Sequence, residues 1–414
     1  MTPGLPAQNA LSLSDAAPVS SDGLDATPCT SYLGDLEGDD SSGKSGKCAT
    51  YCDCLRCQRG VYWRRAFASA EYLQWWNKGR YLPPLVTTSP DATPPALAGV
   101  LGPGGVETQY TSILFGDQNI GSDLQSGGRV TFGTWLDDCA SAGIGARLFG
   151  VEGHNRGFSG VSDAGGTPIL AVPFYATGPV PPAGEDAVQL SLPGLQQGSA
   201  DVWAENEVFG AQAFLRYMID AGVNYRLDML TGYRFTRVND DVQLNAFSSL
   251  FPTDFFFRDL FTARNTFHAG EVGLIGEYQV SRWTLGATGT ISFGTMEQRV
   301  SIDGDNTVQV MGVGSPAPGG IFAQPTNMGN YKRHVSVWAP EAGVKLSYAM
   351  TERLSISVGY TFLYWTRMAL AGDQIDRSIN FSPFIPGSPQ RPEFRWRDTD
   401  FWVQSVDLGF SLNY

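Results

Sequence analysis

The sequence lacks long apolar runs: no stretch approaches the roughly 18 consecutive apolar residues that a transmembrane helix requires. This excludes a helical membrane protein. Basic residues are also few, since 28 Lys and Arg stand against 41 Asp and Glu and give a net charge of -13. Because phosphate binding needs clustered Lys and Arg, we expect no nucleic-acid partner.

Histidines and catalytic motifs are scarce as well. The three histidines are His154, His268 and His334. His154 or His268 could activate a nucleophile or a water, but a solvated rim histidine or a hydrogen-bonded lumen residue explains each better. Residues 303–306 resemble part of a calcium loop without its bidentate glutamate, so we interpret them as a hairpin turn. We therefore expect no enzyme activity, no cofactor and no metal site.

An export signal is also missing from the first sixty residues, which have neither a basic start nor an apolar core. We expect that the start is placed too late or that the recorded chain is shortened. The alternative is a protein that is not exported.

What the chain has instead is long alternation of apolar and polar residues. Residues 400–414 show it most clearly, with apolar side chains at every second position: Val406, Leu408, Phe410, Leu412 and Tyr414. Because side chains alternate faces along a strand, this pattern predicts a strand with one apolar and one polar face, ending on an aromatic residue. Similar runs begin at Val223, Val272, Trp283, Val344 and Leu354.

The length and polar faces of these runs favour a membrane barrel. Runs of about ten residues or more suit a tilted strand that crosses a bilayer. Their polar faces hold mainly Gly, Ser and Thr, as expected for a water-facing lumen, and tight turns alternate with long loops. A soluble ligand-binding barrel would carry charge outside, yet Lys is scarce in these runs. We predict an all-β chain in which residues 61–414 form a single transmembrane antiparallel up-and-down β-barrel of about twelve strands.

The closure of the barrel and its loops can also be predicted. The last strand should pair with the first one, near residues 66–76, which leaves no free edge. Segments rich in Pro, Gly or Asp predict longer loops at about 78–106, 153–167, 177–199, 238–265, 303–330 and 371–399. The aromatic residues at 255–257 would then form an apolar loop element.

Residues 1–60 differ in composition and predict a flexible or disulfide-tied segment rich in Ser, Gly, Asp and Pro. Zinc sites usually present two separated cysteine pairs, and no histidine lies nearby, so disulfides are favoured over a metal site or free thiols. The candidate disulfide cysteines are Cys29, Cys48, Cys52, Cys54, Cys57 and Cys139.

Charged residues on the polar faces are the candidate functional residues. The parity of the alternation predicts six lumen-lining side chains: Arg226, Asp228, Arg234, Glu271, Glu277 and Arg282. Opposed acidic and basic groups across a pore narrow it and set its charge preference. The alternative is that they form salt bridges that brace a closed barrel.

An ordered set of motifs runs along the same region. It comprises AEYLQWW at 70–76, PPLVTT at 83–88, SGGRV at 126–130, GTWLDD at 133–138, LTGYRF at 230–235, GYTFLYW at 359–365, GDQID at 372–376 and FWVQ at 401–404. On these motifs the chain, over about residues 63–414, resembles the planctomycete-type putative β-barrel porin family, the seventh of that designation. The resemblance implies an outer-membrane β-barrel protein.

These observations predict an outer-membrane porin-like protein for passive diffusion of ions or small solutes. A closed structural or surface-attachment barrel is the alternative, and a barrel hydrolase is a weaker one. The expected partners are outer-membrane lipid, the barrel-insertion machinery and small solutes or ions.

Overall fold

The computed structural model describes residues 66–137, 140–382 and 385–413, with only the backbone of His154 and Asn413. The predicted N-terminal segment and all six cysteines lie outside the described residues. The strands are β1 Ala66–Asn77, β2 Arg80–Leu82, β3 Val86–Thr88, β4 Ser112–Phe115, β5 Gln118–Ile120, β6 Gln125–Trp135, β7 Ala142–Val161, β8 Leu170–Ala176, β9 Gly184–Ser191, β10 Gln197–Ala221, β11 Tyr225–Leu250, β12 Thr253–Val280, β13 Trp283–Val310, β14 Val313–Pro318, β15 Gly329–Ala349, β16 Leu354–Met368, β17 Ser378–Ile379 and β18 Thr399–Asn413. Two short 3₁₀ helices span Pro95–Leu97 and Gly372–Gln374.

Ten of these strands close into one antiparallel ring, in the order β1, β6, β7, β10, β11, β12, β13, β15, β16, β18 and back to β1. β14 adds an eleventh strand to the same sheet, because it pairs with β13 beyond the end of β15. The last strand pairs with the first from Phe67 opposite Asn413 to Asn77 opposite Val403. The predicted all-β antiparallel barrel and its closure are therefore confirmed, with ten strands in the ring and eleven in its sheet against the predicted count of about twelve.

The strands are longer than the sequence pattern predicts. β11 and β12 continue through residues predicted as the loop 238–265, and only residues 251–252 separate them. Residues 303–306, predicted as a hairpin turn, lie within β13, and the aromatic residues 255–257 lie within β12. These loop predictions were wrong because, above the membrane, the outward positions become polar and the apolar residues move to the inward face, so the alternation reverses its phase along each strand.

An apolar belt surrounds the barrel wall. Along β11 the outward side chains run from Tyr225 to Phe235, and the next outward residue, Arg237, is charged and exposed. Ten residues at about 3.3 Å each and a tilt near 40° span about 25 Å, the height of a membrane barrel's apolar band. Tyr233, Phe293 and Trp338 mark its upper border. The barrel therefore crosses a membrane and continues above it. No helix in the described part of the chain is long and apolar enough to cross a membrane.

The two ends of the barrel differ. At the turn end, the connections between strands are short and lie at 136–141, 222–224, 281–282 and 350–353. The first strand begins and the last strand ends at this same end of the barrel. At the mouth end, long connections lie at 78–124, 162–196, 319–328 and 369–398. All of these except 319–328 contribute to a second sheet of five strands, β17, β8, β3 and β4 in order with β9 beside β8. Leu85, Val172 and Phe322 from these connections pack in one core with Val242 and Phe261 of the wall. The mouth is thereby closed from within.

Candidate functional site

A layer of ion pairs crosses the lumen within the membrane. We call it the charge layer, and it consists of four basic and four acidic side chains: Arg129, Arg147, Arg234, Lys345, Glu71, Glu271, Glu341 and Asp407. Polar side chains of the remaining ring strands join it through Gln212, Ser292 and Thr361. Each of the ten ring strands therefore contributes to the layer, whose formal charges sum to zero.

Arg129 organises one half of the charge layer. Its guanidinium pairs with Glu71 through Nε and donates from Nη2 to Asp407 at 2.5 Å. Glu71 also pairs with Lys345, and the hydroxyl of Thr361 donates to Asp407 at 2.6 Å. Both carboxylates are almost completely buried. Buried charges are tolerated when they are paired and hydrogen-bonded, and this half meets that condition.

Arg234 organises the other half. Its side chain is 2% exposed, and it lies 2.9 Å from Glu271 and pairs with Glu341. Arg147 approaches the same Glu341 at 3.2 Å from the opposite wall, and Gln212 and Ser292 donate to Glu271. The guanidinium therefore bridges two carboxylates from β12 and β15.

A second group of charges, the turn-side cluster, lies nearer the turn end. Arg216 donates to Asp228 at 2.5 Å and to Glu277 at 3.1 Å, and Arg226 donates to Asp228 at 2.8 Å. Both guanidinium groups lie over the Trp135 ring, at 5.1 and 4.4 Å from its centre. Cation–π contacts of this kind stabilise the two arginines beside a carboxylate that is fully buried.

Little space remains in the charge layer. A cavity of about 20 Å³ lies between Arg129, Arg147 and Glu341, enough for about one water molecule. Above it, apolar side chains fill the lumen, including Trp365 and Phe267, both with no exposed surface. Because a ring of ten strands is only slightly wider than eight-stranded barrels, whose side chains fill the interior, the lumen is closed in this structure.

The segment that follows β16 enters the mouth and is fixed to the far wall. Asn265 of β12 donates to the carbonyl of Ala369 at 2.7 Å and accepts from its N–H at 2.9 Å. Asp240 of β11 accepts from the N–H of Ala371 at 2.7 Å and pairs with Arg80, which comes from the connection after β1. Two separate connections therefore meet at one buried carboxylate.

A third connection is held by the same wall. Asp259 of β12 accepts from the backbone N–H groups of Ile321, Phe322 and Ala323, at 3.2, 3.2 and 2.8 Å. Burying three backbone donors without a partner would be expensive, so the carboxylate determines where this segment sits. We call the segments 80–85, 320–323 and 369–376 the mouth plug.

One carboxyl group of the mouth plug has a shifted pKa. Asp373 lies in the 3₁₀ helix after β16, outside the membrane-spanning part of the chain. Burial raises its pKa to about 6, and the nearby Asp240 acts in the same direction, while Arg397 and Lys78 oppose the shift. The group therefore becomes protonated at mildly acidic pH, and the plug loses a buried charge.

The predicted lumen residues divide into three groups. Arg234 and Glu271 lie in the charge layer, while Arg226, Asp228 and Glu277 lie in the turn-side cluster. The prediction for Arg282 was wrong, because the parity of the strand stops at the two-residue turn 281–282, where this side chain is exposed.

Sequence reasoning missed most of the layer's members and all anchors of the mouth plug. The missed charges of the layer are Glu71, Arg129, Arg147, Glu341, Lys345 and Asp407. Asp407 carried a usable signal, because it stands on the polar face of the last strand. The plug anchors Asp240, Asp259 and Asn265 lie in the stretch that was predicted to be a loop.

The two histidines with described side chains, His268 and His334, are both exposed and lie away from the lumen. His268 is exposed on the outer wall, where its Nδ1 lies 2.5 Å from the Tyr233 hydroxyl and its ring contacts Phe235. Within residues 66–137, 140–382 and 385–413, no group of three His, Cys, Asp or Glu side chains is placed to hold a metal ion.

Residues 67–414 match the family described as Putative beta barrel porin-7 (BBP7). No curated protein matches the chain.

Several solved barrels share a weak likeness of fold. The Escherichia coli outer membrane protease OmpT has 10% identity and a TM-score of 0.38, over 86% of this chain and 99% of that one. The P. putida toluene transporter TodX has 8% identity and a TM-score of 0.20, over 88% and 93%. A Pseudomonas aeruginosa FadL homologue has 9% identity and a TM-score of 0.23, over 85% and 91%.

Proposed function

The chain belongs to the Putative beta barrel porin-7 family, and from this premise we propose that it is a gated outer-membrane channel. The chain is an outer-membrane β-barrel protein. In the proposal its lumen is closed at rest, and ions or small solutes diffuse through it after the mouth plug leaves the lumen. The protein performs no catalysis in this proposal.

The charge layer carries the proposal. A barrel that needs only a filled interior gains nothing from eight lumen charges, since apolar side chains of similar volume are often equally or more stabilising than buried ion pairs. Opposed rows of acids and bases, however, are what a pore uses to select solutes by size and charge. We therefore assign the layer to solute selection and the mouth plug to closure.

A closed structural barrel is the second candidate, and the apolar filling above the charge layer favours it. Trp365, Phe267 and Phe401 are buried there against residues of several strands. A gate must move such side chains, and removing a large apolar side chain from its packing costs several kcal/mol.

Conductance in planar lipid bilayers tests the two candidates. We expect rare, brief openings from the wild-type barrel and longer openings from Asn265→Leu, which loses both hydrogen bonds to the plug at Ala369. Gln243→Leu on the neighbouring strand is the matched control, because its side chain contacts Asn245 and no plug segment. A correctly folded Asn265→Leu barrel without channel steps would contradict the gated channel and leave the structural barrel.

Ion selectivity then tests the role of the charge layer. Lys345 is the most exposed of its cations, at 39%, so Lys345→Gln should disturb the fold least while it leaves the layer with one net negative charge. We expect the reversal potential in a salt gradient to shift toward cations. Lys78→Gln, which removes a cation paired with Asp400 at the mouth, is the control and should leave the reversal potential unchanged.

A further inference from the structure

Four neighbouring strands present an ordered set of charges on the outside of the barrel. In one outward row, Arg264 of β12 lies directly opposite Arg299 of β13, which lies opposite Lys332 of β15. All three side chains are exposed. A second outward row lies two residues nearer the membrane, and Arg237 of β11 belongs to it, opposite Thr266 of β12. We call these four cations the outer basic patch.

This alignment is unfavourable in the protein alone. Adjacent strands lie about 4.8 Å apart, and like charges directly opposite each other destabilise a sheet. Glu297 offsets part of the repulsion, since it pairs with Arg299 at 2.5 Å and with Lys332 at 2.8 Å. Within the part of the chain that the structure describes, no carboxylate pairs with Arg264.

The other ionisable groups around the patch do not neutralise it. His334 lies 3.8 Å from Glu297 on the β15 side. On the far side, towards β10, Glu207 accepts from the Asn239 amide at 3.1 Å, and Asp241 lies one row farther from the membrane. Three carboxylates, Glu297 within the patch and Glu207 and Asp241 at its edge, stand against four cations, so the cations are in excess by one.

The patch lies at the level of lipid headgroups. Its lower row is two residues above Phe235 and four above Phe293 and Trp338, which border the apolar belt. At about 2.5 Å of height per tilted residue, the row of Arg237 is about 5 Å above Phe235, and the row of Arg264, Arg299 and Lys332 is about 10 Å above it, at the outer edge of the headgroup region of a bilayer. Long Arg and Lys side chains can also extend along the wall towards the membrane.

We propose that the outer basic patch binds the phosphate of an anionic lipid headgroup in the membrane leaflet at the mouth end. Guanidinium groups match phosphate with two parallel hydrogen bonds, and Arg264 and Arg299 offer two such groups from adjacent strands. The acyl chains of the same lipid would lie against Phe293 and Trp338 below. The proposal needs the membrane barrel alone and does not depend on solute passage.

Native mass spectrometry of the full chain, folded in detergent, tests the site with phosphatidylglycerol and phosphatidylcholine of identical acyl chains. We expect the wild type to retain phosphatidylglycerol preferentially. Each cation removed should weaken retention about fivefold, the effect of one basic residue near an anionic surface. Arg264→Ser should show it without breaking an ion pair, and the triple variant R264S/R299S/K332S should abolish the preference. Arg258→Ser, higher on β12 and paired with Asp303 and Asp305, is the control and should retain the lipid as the wild type does.

Glu297 supplies a test of opposite sign. Glu297→Gln removes the one carboxylate among the four cations, so phosphatidylglycerol should be retained more tightly than by the wild type. Equal retention of both lipids by the wild type, or unchanged preference in Arg264→Ser, would overturn the proposal. If inorganic phosphate stabilised the barrel as much as phosphatidylglycerol does, the proposal would also be overturned, because the site would then bind a free anion.

Discussion

Breaking the charge layer at Arg234 should destabilise the whole barrel. Its guanidinium lies 2.9 Å from Glu271 and pairs with Glu341, and its side chain is 2% exposed. Removing one partner of a buried ion pair typically costs about 3–5 kcal/mol, because the remaining charge stays buried without compensation. Glu341 still has Arg147 at 3.2 Å in this variant. We therefore expect Arg234→Met to lower the free energy of unfolding by about 3 kcal/mol, the lower limit of that range.

A double-mutant cycle separates this pairing from a general loss of packing. If Arg234 and Glu341 act together, R234M/E341Q should be less destabilised than the sum of the single variants by about 1–3 kcal/mol. The free energy of unfolding is measured by urea titration of barrels folded in lipid vesicles, followed by tryptophan fluorescence. Additivity within about 0.5 kcal/mol would refute the coupling. Arg156→Ser breaks a half-exposed pair with Asp123 and should change stability by about 1 kcal/mol at most.

Three further predictions concern the mouth. The folded-state pKa of Asp373, about 6, lies above its unfolded value of 3.8, so stability should rise as pH falls from above 6 towards 3.8, by about 1.4 kcal/mol between pH 7.5 and 5 and by at most about 3 kcal/mol in full. In urea titrations at pH 5 and 7.5 the gain should be about 1.4 kcal/mol smaller in Asp373→Asn than in the wild type, because Asp259, whose burial raises its pKa to about 6, titrates in both proteins. Trp365→Ala should cost about 3–5 kcal/mol in the same titration because it empties a fully buried site, whereas Trp203→Ala, at a half-exposed site, should cost much less. Asn265→Leu should speed trypsin cleavage within residues 369–398 without loss of the heat-resistant folded band on gels, and an unchanged cleavage rate would contradict the anchoring role of Asn265.

The sequence predicts the membrane-spanning part well because the physical constraint there is local. One face of each strand must contact lipid and the other must face the lumen, so apolar and polar residues alternate with a period of two in the sequence. The same parity predicts that Arg234 and Glu271 face the lumen, although it does not identify their partners. The parity failed for Arg282, where a two-residue turn ends the strand.

Pairing across the lumen has no such local signature. Arg129 meets Asp407 from the opposite end of the sequence, and the contact depends on the stagger of all strands around the ring. Above the membrane the alternation reverses its phase, because outward residues such as Arg237 and Arg264 are polar and inward ones such as Val242 are apolar, and the inward Asp240 and Asn265 interrupt it. That is why β11 and β12 were predicted to end too early, and why the plug anchors went unrecognised.

The anchors of the mouth plug explain how such a lumen could open without damage to the barrel. The plug segments leave the wall after β1, β14 and β16, yet Asp240, Asn265 and Asp259 hold all of them on two adjacent strands, β11 and β12. None of these side-chain contacts belongs to the backbone ladder that closes the ring. Releasing the plug therefore breaks side-chain hydrogen bonds to β10, β11 and β12 and apolar packing against several strands, while every ring strand keeps its backbone neighbours. Under the proposed gating, a substitution at one of these anchors, such as Asn265→Leu, removes part of the barrier to opening, and the apolar packing of the lumen supplies the rest.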